Sequence, residues 1–263
     1  MSEQTSQDPA APPNLVLKGK VAVVTGASSG LGARFVRALV AAGATVVATA
    51  RRAERLATLA DELGPEAVHP VAGDICDPAF PATLMAAATE RFGRLDILLN
   101  NAGISQVAPA EEMSDKDFLE VLQVNLISLF ACCREAYGPM RDNGGGSIVN
   151  ISSALGMVGL GRVPQASYCA SKGGVIALSR ELAAQWAAAD VRVNCIAPGW
   201  FPTELTGPLL DNERGVKFVE RLVPLGRPGR LEELDGIAVF LAGDASSYVT
   251  GQTIAVDGGW TSV

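Results

Sequence analysis

The sequence predicts an α/β protein in which a doubly wound parallel sheet of about seven strands is covered by helices on both faces. Short runs rich in Val, Ile, Leu and Ala alternate with longer helix-like segments along most of the 263 residues, as is typical of parallel sheets. The short runs are almost wholly apolar, which is expected of strands buried on both faces. The 28 glycines indicate many tight turns, and a hydrophobic content of 48% is enough for a large core.

The predicted elements follow one another without a linker-like stretch, so we expect a single folded domain over residues 17–263. Strands are predicted at residues 21–25, 45–50, 68–72, 97–100, 147–152, 191–197 and 253–256. Helices are predicted at residues 33–42, 53–63, 80–92, 117–140, 166–189 and 231–242. Residues 1–16 are rich in Ser, Gln, Asp and Pro, and we expect them to form a disordered tail.

The composition narrows the classes of partner. A formal net charge of -7 disfavours binding to nucleic acid or to an anionic membrane surface. No apolar run is long enough and free enough of charge to span a bilayer. The chain has one histidine and five cysteines, none spaced as Cys-x-x-Cys, so we expect no metal site. Because an odd number of cysteines suits a reducing compartment, we expect a cytoplasmic protein.

A glycine-rich turn follows the first predicted strand and leads into the first predicted helix. Residues 25–32 read Thr-Gly-Ala-Ser-Ser-Gly-Leu-Gly. Glycines let the backbone approach a pyrophosphate closely, and a helix N-terminus supplies N–H donors and a positive dipole. A tight turn without a ligand can use similar residues, but the strand–turn–helix context favours a dinucleotide site of the Rossmann type.

Tyr168 and Lys172 form a candidate proton-transfer pair. Their spacing of four residues places both side chains on one face of the predicted helix. A tyrosine has an ordinary pKa of about 10, and a cation beside it favours its ionised form. Lowering that pKa to about 7 takes roughly 4 kcal/mol, which a charge at about 4 Å can supply. Taken alone, a packed tyrosine and a solvated lysine are the alternative.

Further motifs occur in a fixed order along the chain. They are Gly-x-x-x-Gly-x-Gly at residues 26–32, Asp74, Asn-Asn-Ala-Gly at residues 100–103, Asn125, Ser153, Tyr168 with Lys172, Pro-Gly at residues 198–199, Thr203, and Val-Asp-Gly-Gly at residues 256–259. In this order the chain resembles the short-chain dehydrogenases/reductases of the one-domain type. The resemblance covers about residues 17–260 and implies an oxidoreductase that uses a nicotinamide dinucleotide.

The resemblance also implies four catalytic residues. Tyr168 is expected to be the general acid/base, and Lys172 to lower its pKa and hold the nicotinamide ribose. Ser153 is expected to donate a hydrogen bond to the substrate oxygen as charge develops. Asn125 is expected to hold a water in a proton relay to Lys172. Ser152 is a rival to Ser153, but only Ser153 fits the family's Ser-x-x-Gly pattern.

The expected cofactor contacts lie along the whole nucleotide. By resemblance they are Gly26, Ser28, Ser29, Gly30, Leu31, Gly32, Arg51, Arg52, Asp74, Ile75, Asn101, Ala102, Gly103, Tyr168, Lys172, Pro198, Gly199, Phe201 and Thr203. Ala50 ends the second strand where NAD-binding folds place an acid, and Arg51 follows in a place that suits a 2′-phosphate. We therefore expect NADP(H) to be preferred over NAD(H), although Ser29 lacks the basic side chain of many NADP-using relatives.

No motif encodes the substrate, but two segments are expected to surround it. They are residues 156–165 and a lid at about residues 200–223, and both are mostly apolar. The expected substrate contacts are Ser153, Met157, Val158, Tyr168, Trp200 and Leu205. An apolar ketone or secondary alcohol is therefore favoured. A reductase of 3-oxoacyl thioesters and a non-catalytic dinucleotide-sensing protein remain alternatives, and we expect a homotetramer.

Overall fold

The computed structural model describes residues 16–263, so the predicted tail, apart from Val16, lies outside the described residues. Within this range seven strands form one sheet in the order β3-β2-β1-β4-β5-β6-β7, and every neighbouring pair is parallel. The strands are β1 Val21–Thr25, β2 Thr45–Ala50, β3 Val68–Ala72, β4 Ile97–Asn100, β5 Gly146–Ile151, β6 Val191–Pro198 and β7 Thr253–Val256. The predicted fold class is confirmed.

Helices cover both faces of the sheet. They are α1 Gly30–Ala41, α2 Ala53–Leu63, α3 Phe80–Phe92, α4 Asp115–Leu122, α5 Ser128–Asp142, α6 Ala166–Trp186, α7 Gly207–Leu210, α8 Glu213–Leu222 and α9 Asp235–Ala242. Side chains of β1 alternate between the faces: Val24 packs with the cluster that holds α1, α2 and α9. Val23 packs with the cluster that holds α3, α5 and α6. Two apolar layers therefore bury the strands from both sides.

The prediction of one continuous helix over residues 117–140 is wrong. The structure begins this helical region at Asp115 and ends it at Asp142, but a π-helical segment, Gln123–Ile127, interrupts it. Asn125 lies in this segment and is fully buried. Because a π-bulge adds a residue without breaking the helix, apolar periodicity does not reveal it.

Other boundaries differ by a few residues. The first helix begins at Gly30 rather than at residue 33, because Gly30 and Gly32 are helical despite their low propensity. The helix predicted over residues 166–189 turns into a 3₁₀ segment after Trp186. Residues 231–234 are also 3₁₀ rather than α-helical. Ends of helices commonly tighten in this way.

The strand order fixes the position of the site. It reverses between β1 and β4, which are adjacent in the sheet although two strands separate them in the chain. In a doubly wound sheet, loops after such a pair part to opposite faces and leave a crevice at the carboxyl edge. The glycine-rich turn follows β1, and Asn101 to Gly103 follow β4, so both line this crevice.

The segment after β6 contains two helices that the sequence did not predict. They are the short α7 and the amphipathic α8, which begins where the Asn212 side chain accepts a hydrogen bond from Gly215 N at 2.9 Å. Val219 and Val223 of this region pack with Leu155 and Trp200. Within residues 16–263, no helix is long and apolar enough to cross a membrane.

Candidate active site

Two glycines of the glycine-rich turn, Gly26 and Gly32, leave no room for a side chain. Gly26 has φ +66°, and a Cβ on Gly32 would lie 2.1 Å from the Gly26 carbonyl oxygen. Asn101 holds this turn from the neighbouring strand by donating from Nδ2 to the carbonyl oxygens of Thr25 and Gly26, each at 3.2 Å. The first turn of α1 can therefore be approached by a ligand at the level of the backbone.

The first turn of α1 carries no capping hydrogen bond and no acid of its own. Ser29 is its N-cap residue. The N–H groups there keep their partial positive charge and their hydrogen-bonding capacity. Together with the glycine cradle, this arrangement fits the pyrophosphate of a dinucleotide.

Arg52, rather than Arg51, reaches the glycine-rich turn. Its guanidinium donates to the Ser28 hydroxyl at 3.0 Å and 3.1 Å and to the Ser29 hydroxyl at 2.7 Å. Arg51 is exposed, and its charge acts on Cys76 on the other side of β2. Both arginines were expected cofactor contacts, and the structure places them on different sides of the β2 end.

Glu204 also enters this cluster, which the sequence did not predict. Its carboxylate accepts hydrogen bonds from Arg52 at 3.0 Å, from Ser29 at 3.1 Å and from Arg55. The contact with Arg55, helped by Arg52 and Ser29, lowers the pKa of Glu204 to about 2. The sequence did carry one sign of this cluster: Arg52, the N-cap of α2, and Arg55 are three residues apart, so their charges lie on one side of the helix start.

Tyr168 and Lys172 lie together at the start of α6. Lys172 is buried, donates from Nζ to the Ile151 carbonyl oxygen at 2.7 Å, and lies 5.7 Å from the centroid of the Tyr168 ring. Ser153 caps the 3₁₀ turn Ala154–Gly156 by accepting from Leu155 N at 3.1 Å. Its own O–H is not used in that bond, so it can donate to another oxygen.

The pKa values of the pair move in the directions that burial dictates. Burial raises the pKa of Tyr168, and contact with Ser153 offsets part of this rise. Burial lowers the pKa of Lys172 from 10.5 to about 8. Burial is the largest cause for both groups, and the lowering of the Tyr168 pKa by Lys172 stays a prediction.

Asn125 is held by both ends of its amide. Oδ1 accepts from Ile104 N at 2.8 Å, and Nδ2 donates to the Ile104 carbonyl oxygen at 2.9 Å and to Ser171 Oγ at 3.0 Å. Ser171 in turn donates to the Tyr168 carbonyl oxygen at 2.8 Å. Asn125 therefore ties the loop after β4 to the helix that carries Tyr168 and Lys172.

The loops after β3 and β4 complete the nucleotide side of the crevice. Asp74 is exposed and accepts from Cys76 N at 2.9 Å, while Ile75 is half-buried. A Cβ on Gly103 would lie 3.5 Å from Lys172 Nζ, so the backbone after β4 runs beside Lys172. Ala102 approaches the glycine-rich turn, since a Cβ on Gly26 would lie 2.8 Å from its Cα.

The segment after β6 folds back over the glycine-rich turn. Pro198 ends β6, and a Cβ on Gly199 would lie 2.7 Å from Asp257 Cα. Phe201 is buried in the core cluster of α1 and α9. Thr203 lies over the turn, because its side-chain carbons are 3.3 Å from the position of a Cβ on Gly30. These four residues were expected to contact the cofactor.

Apolar side chains surround Tyr168. Trp200 is buried, stacks on Trp260 with ring centroids 5.6 Å apart, and belongs to the cluster that contacts Tyr168 and Val158. Met157 and Leu205, by contrast, are about half exposed. Of the expected substrate contacts, the structure therefore joins Trp200, Val158 and Tyr168 in one apolar wall and leaves Met157 and Leu205 at its rim.

A basic cleft of about 350 Å³ adjoins this wall. Its lining consists of Arg162, Arg214, Lys217, Phe218, Arg221 and Leu222. Phe218 and Leu222 also pack with the apolar cluster around Tyr168. Lys217 pairs with Glu213 at 2.6 Å, whereas the three arginines form no ion pair with any residue in the range 16–263. This concentration of positive charge was not predicted.

Comparisons with known proteins identify the class. Residues 26–261 match the family model described as Enoyl-(Acyl carrier protein) reductase. D-threitol dehydrogenase of Mycolicibacterium smegmatis is 42% identical over 249 residues, which cover 93% of this chain and 94% of the relative. The 3-oxoacyl-(acyl-carrier-protein) reductase FabG of Thermotoga maritima is 38% identical over 245 residues, with 92% and 98% covered.

A solved structure agrees with these relatives. The gluconate 5-dehydrogenase of Burkholderia cenocepacia, in complex with NADP and tartrate, superposes with a TM-score of 0.89 at 36% identity, covering 95% of this chain and 98% of that one. The chain belongs to the short-chain dehydrogenase/reductase family. It is an NAD(P)-dependent oxidoreductase, which removes the non-catalytic alternative. Residues 16–263 contain no group of three His, Cys, Asp or Glu side chains that could hold a metal ion.

Proposed function

We infer that this oxidoreductase transfers a hydride between NADP(H) and an apolar ketone or secondary alcohol. The observation that carries this assignment is the apolar cluster that surrounds Tyr168, in which Trp200, Leu155 and Val158 take part. Each methylene that a substrate buries against such a wall contributes up to about 0.8 kcal/mol. A polyol gains little there, because its hydroxyls lose their hydrogen bonds to water.

The proton is handled by Tyr168. In reduction its hydroxyl gives a proton to the substrate oxygen, and in oxidation its oxygen takes one from the alcohol. Ser153 donates a hydrogen bond to the same substrate oxygen and stabilises the charge that develops on it. Lys172 keeps N–H donors beyond the one that Ile151 accepts, and these can bind a ribose hydroxyl. Asn125 holds the loop at Ile104 in place, and its Oδ1 keeps a second acceptor site for a water in the proton relay to Lys172.

The nicotinamide, when bound, supplies or accepts the hydride. Gly26, Gly30 and Gly32 would hold the pyrophosphate, for which the free helix N-terminus is suited. Asp74 and Ile75 would contact the adenine, and Asn101 to Gly103 the ribose. Phe201 and Thr203, after Pro198 and Gly199, would hold the carboxamide.

Arg52, with Ser28 and Ser29, supports the preference for NADP over NAD. A guanidinium that already donates to two hydroxyls at the mouth of the cradle is suited to a phosphate in charge and in shape. Ala50 leaves the end of β2 without an acid that would repel this phosphate.

The test is a substrate panel followed by the absorbance of reduced nicotinamide, run with both cofactors. We expect kcat/KM to rise along a series of ketones of increasing apolar chain length, and to be higher with NADPH than with NADH. A panel in which free sugars or polyols give the highest kcat/KM contradicts the substrate assignment. Higher kcat/KM with NAD(H) for every substrate contradicts the cofactor assignment.

A second candidate is the reduction of 3-oxoacyl thioesters. The basic cleft favours it, because a coenzyme A or phosphopantetheine carrier brings phosphate groups that Arg162, Arg214 and Arg221 can bind. The cleft is joined to the apolar cluster at Tyr168 through Phe218 and Leu222. An acyl chain could thus pack against the apolar cluster at Tyr168 while its carrier binds in the basic cleft.

Two substrates with the same acyl group separate this candidate from the first. Acetoacetyl-coenzyme A carries phosphates, whereas the acetoacetyl thioester of N-acetylcysteamine carries none. If the cleft serves a carrier, Arg214→Gln raises KM several-fold for the first substrate and leaves the second unchanged. Equal effects on both, or no effect, reject the thioester assignment.

Further proposals concern the domain, the location and the assembly of the enzyme. We propose that residues 17–263 form one catalytic domain, with residues 200–223 as its lid, and that the enzyme works in the cytoplasm. We also propose that it is a homotetramer. The exposed apolar side chains Leu119, Ile127 and Phe130 lie on α4, on the π-helical segment and on α5, and they support an interface there. Trp260 is buried against Trp200 and so is not a candidate for the interface, unlike the exposed Val263.

A further inference from the structure

Glu204 bridges the two sides of the cofactor crevice. It follows Thr203 on the segment after β6, while its hydrogen-bond donors lie on the glycine-rich turn and at the start of α2. The Glu204 side chain is about half exposed, so burial does not force it into this position. Its position is set by the donors that face it.

These donors form a cluster suited to an anion. The Arg52 guanidinium lies within 3.1 Å of both Ser28 and Ser29 hydroxyls, and Arg55 stands on the same side of α2. The same donors would also suit a phosphate monoester, which offers three oxygens where Glu204 offers two. A phosphate monoester also carries close to two negative charges at pH 7.

The same cluster lies where the proposed function puts the 2′-phosphate of NADP. It adjoins the free N-terminus of α1, and no acid stands at the end of β2. Ser29, Arg52 and Arg55, which donate to Glu204, therefore cannot bind Glu204 and a 2′-phosphate at full strength at the same time. NAD, which has a hydroxyl at this position, makes no such demand on them.

We propose that Glu204 is a cofactor-specificity residue, an internal carboxylate that occupies the 2′-phosphate subsite and must be displaced by NADP but not by NAD. This proposal rests on the dinucleotide site of the proposed function. With NAD, Glu204 neutralises Arg52 and Arg55 and holds the segment after β6 closed over the glycine-rich turn. With NADP, the phosphate takes those donors, and the contact of Glu204 with Ser29 is lost. Glu204 thus reduces the preference that the arginines alone would give.

The test measures binding without turnover. Isothermal titration calorimetry with 2′,5′-ADP reports on the phosphate, and 5′-AMP serves as the matched probe that lacks it. In Glu204→Gln we expect the ratio of the two affinities to move toward 2′,5′-ADP by about fivefold to tenfold, as for the loss of one or two exposed ion pairs. The change should shrink in 0.5 M KCl, because exposed charges are screened.

Two further variants keep the result specific. Glu62→Gln removes the same charge from α2, where Glu62 pairs with Arg37 at 2.6 Å, and should leave the ratio unchanged. Glu204→Asp keeps the charge but shortens the side chain by one methylene, and should fall between wild type and Glu204→Gln. Thermal melting checks that each variant is folded.

The outcomes separate this proposal from the cofactor assignment. If Glu204→Gln leaves the affinity ratio within twofold of wild type, or if Glu62→Gln changes it equally, the proposal is overturned, whichever cofactor the wild type prefers. If the wild type prefers NAD but Glu204→Gln still moves the ratio toward 2′,5′-ADP, only the assignment of NADP fails.

Discussion

Lys172 lies beneath Tyr168, with its ammonium nitrogen 5.7 Å from the centroid of the phenol ring and 2.7 Å from the carbonyl oxygen of Ile151. The cation thus faces the aromatic ring, as in a cation–π contact, and is anchored at the carboxyl end of β5. Both groups have pKa values shifted by burial toward their neutral forms. Burial thus favours the neutral phenol, and further hydrogen bonds to its oxygen would favour the ionised form.

Tyr168→Phe tests the proposed acid/base. Removing the hydroxyl removes the proton donor but leaves the ring, so we expect turnover to fall by at least about 100-fold while cofactor affinity stays nearly unchanged. Initial rates on the best substrate and fluorescence titration with NADPH measure the two effects. A variant that keeps a tenth of the wild-type rate would show that Tyr168 is not the acid/base.

Lys172→Met tests the burial of the ammonium group through the pH dependence of stability. The folded-state pKa of Lys172 is about 8, below the usual 10.5, so between these values the unfolded chain binds more protons. Between pH 8 and pH 10.5 the free energy of unfolding of the wild type therefore rises with pH, compared with that of Lys172→Met, which has no group that titrates at this position. The cost of burying the charge is fully present below pH 8.

Urea unfolding of both proteins at pH 7 and at pH 10 measures this difference. We expect the free energy of unfolding of wild type minus that of Lys172→Met to increase by about 2 kcal/mol from the lower to the higher pH. Subtracting the variant removes the contribution of the buried cysteines, whose raised pKa values act in the opposite direction. A difference that does not change with pH would contradict a lowered Lys172 pKa.

Gly32→Ala tests the cradle of the glycine-rich turn. The new Cβ would lie 2.1 Å from the Gly26 carbonyl oxygen and 2.5 Å from Asn101 Nδ2, so the turn has to move. We expect dinucleotide affinity to fall at least tenfold and the melting temperature to drop, because the start of α1 must move away from Gly26 and Asn101. Calorimetric titration with NADP and thermal melting provide the two measurements.

Gly236→Ala is the matched control for this substitution. Gly236 lies in α9, and a Cβ there would meet no atom within 4 Å. Alanine is the better helix former by roughly 1 kcal/mol, so this variant should bind cofactor normally and melt no lower than wild type. Similar losses of affinity in both variants would show that the absence of a side chain at Gly32 is not required for dinucleotide binding.

Phe130→Glu tests the proposed oligomer. Phe130 of α5 continues the apolar surface of Leu119 and Ile127, and a charge at this position should prevent two copies from packing there. We expect light scattering to give four times the chain mass for wild type and a smaller assembly for the variant. A wild type that is a stable monomer at micromolar concentration rules out the homotetramer.

The sequence by itself determined the fold class and the approximate place of each strand. Apolar runs such as those of β1 and β4 are local signals, because a strand buried on both faces needs apolar residues throughout its length. The glycine-rich turn and the spacing of Tyr168 and Lys172 were local as well, since chain geometry alone relates residues so close in sequence. The presence of a nucleotide cradle and a candidate acid/base could therefore be predicted without a structure.

Only the tertiary structure decided which distant residues share a surface. Glu204 meets Arg52 across 152 positions of the chain, and Asn125 meets Ile104 from within a π-helical segment that periodicity does not show. The pKa of Lys172 likewise follows from burial among other elements, which no spacing encodes. Contacts of this kind depend on how separate elements pack. The free energy of packing is distributed over many residues, so no short motif predicts it.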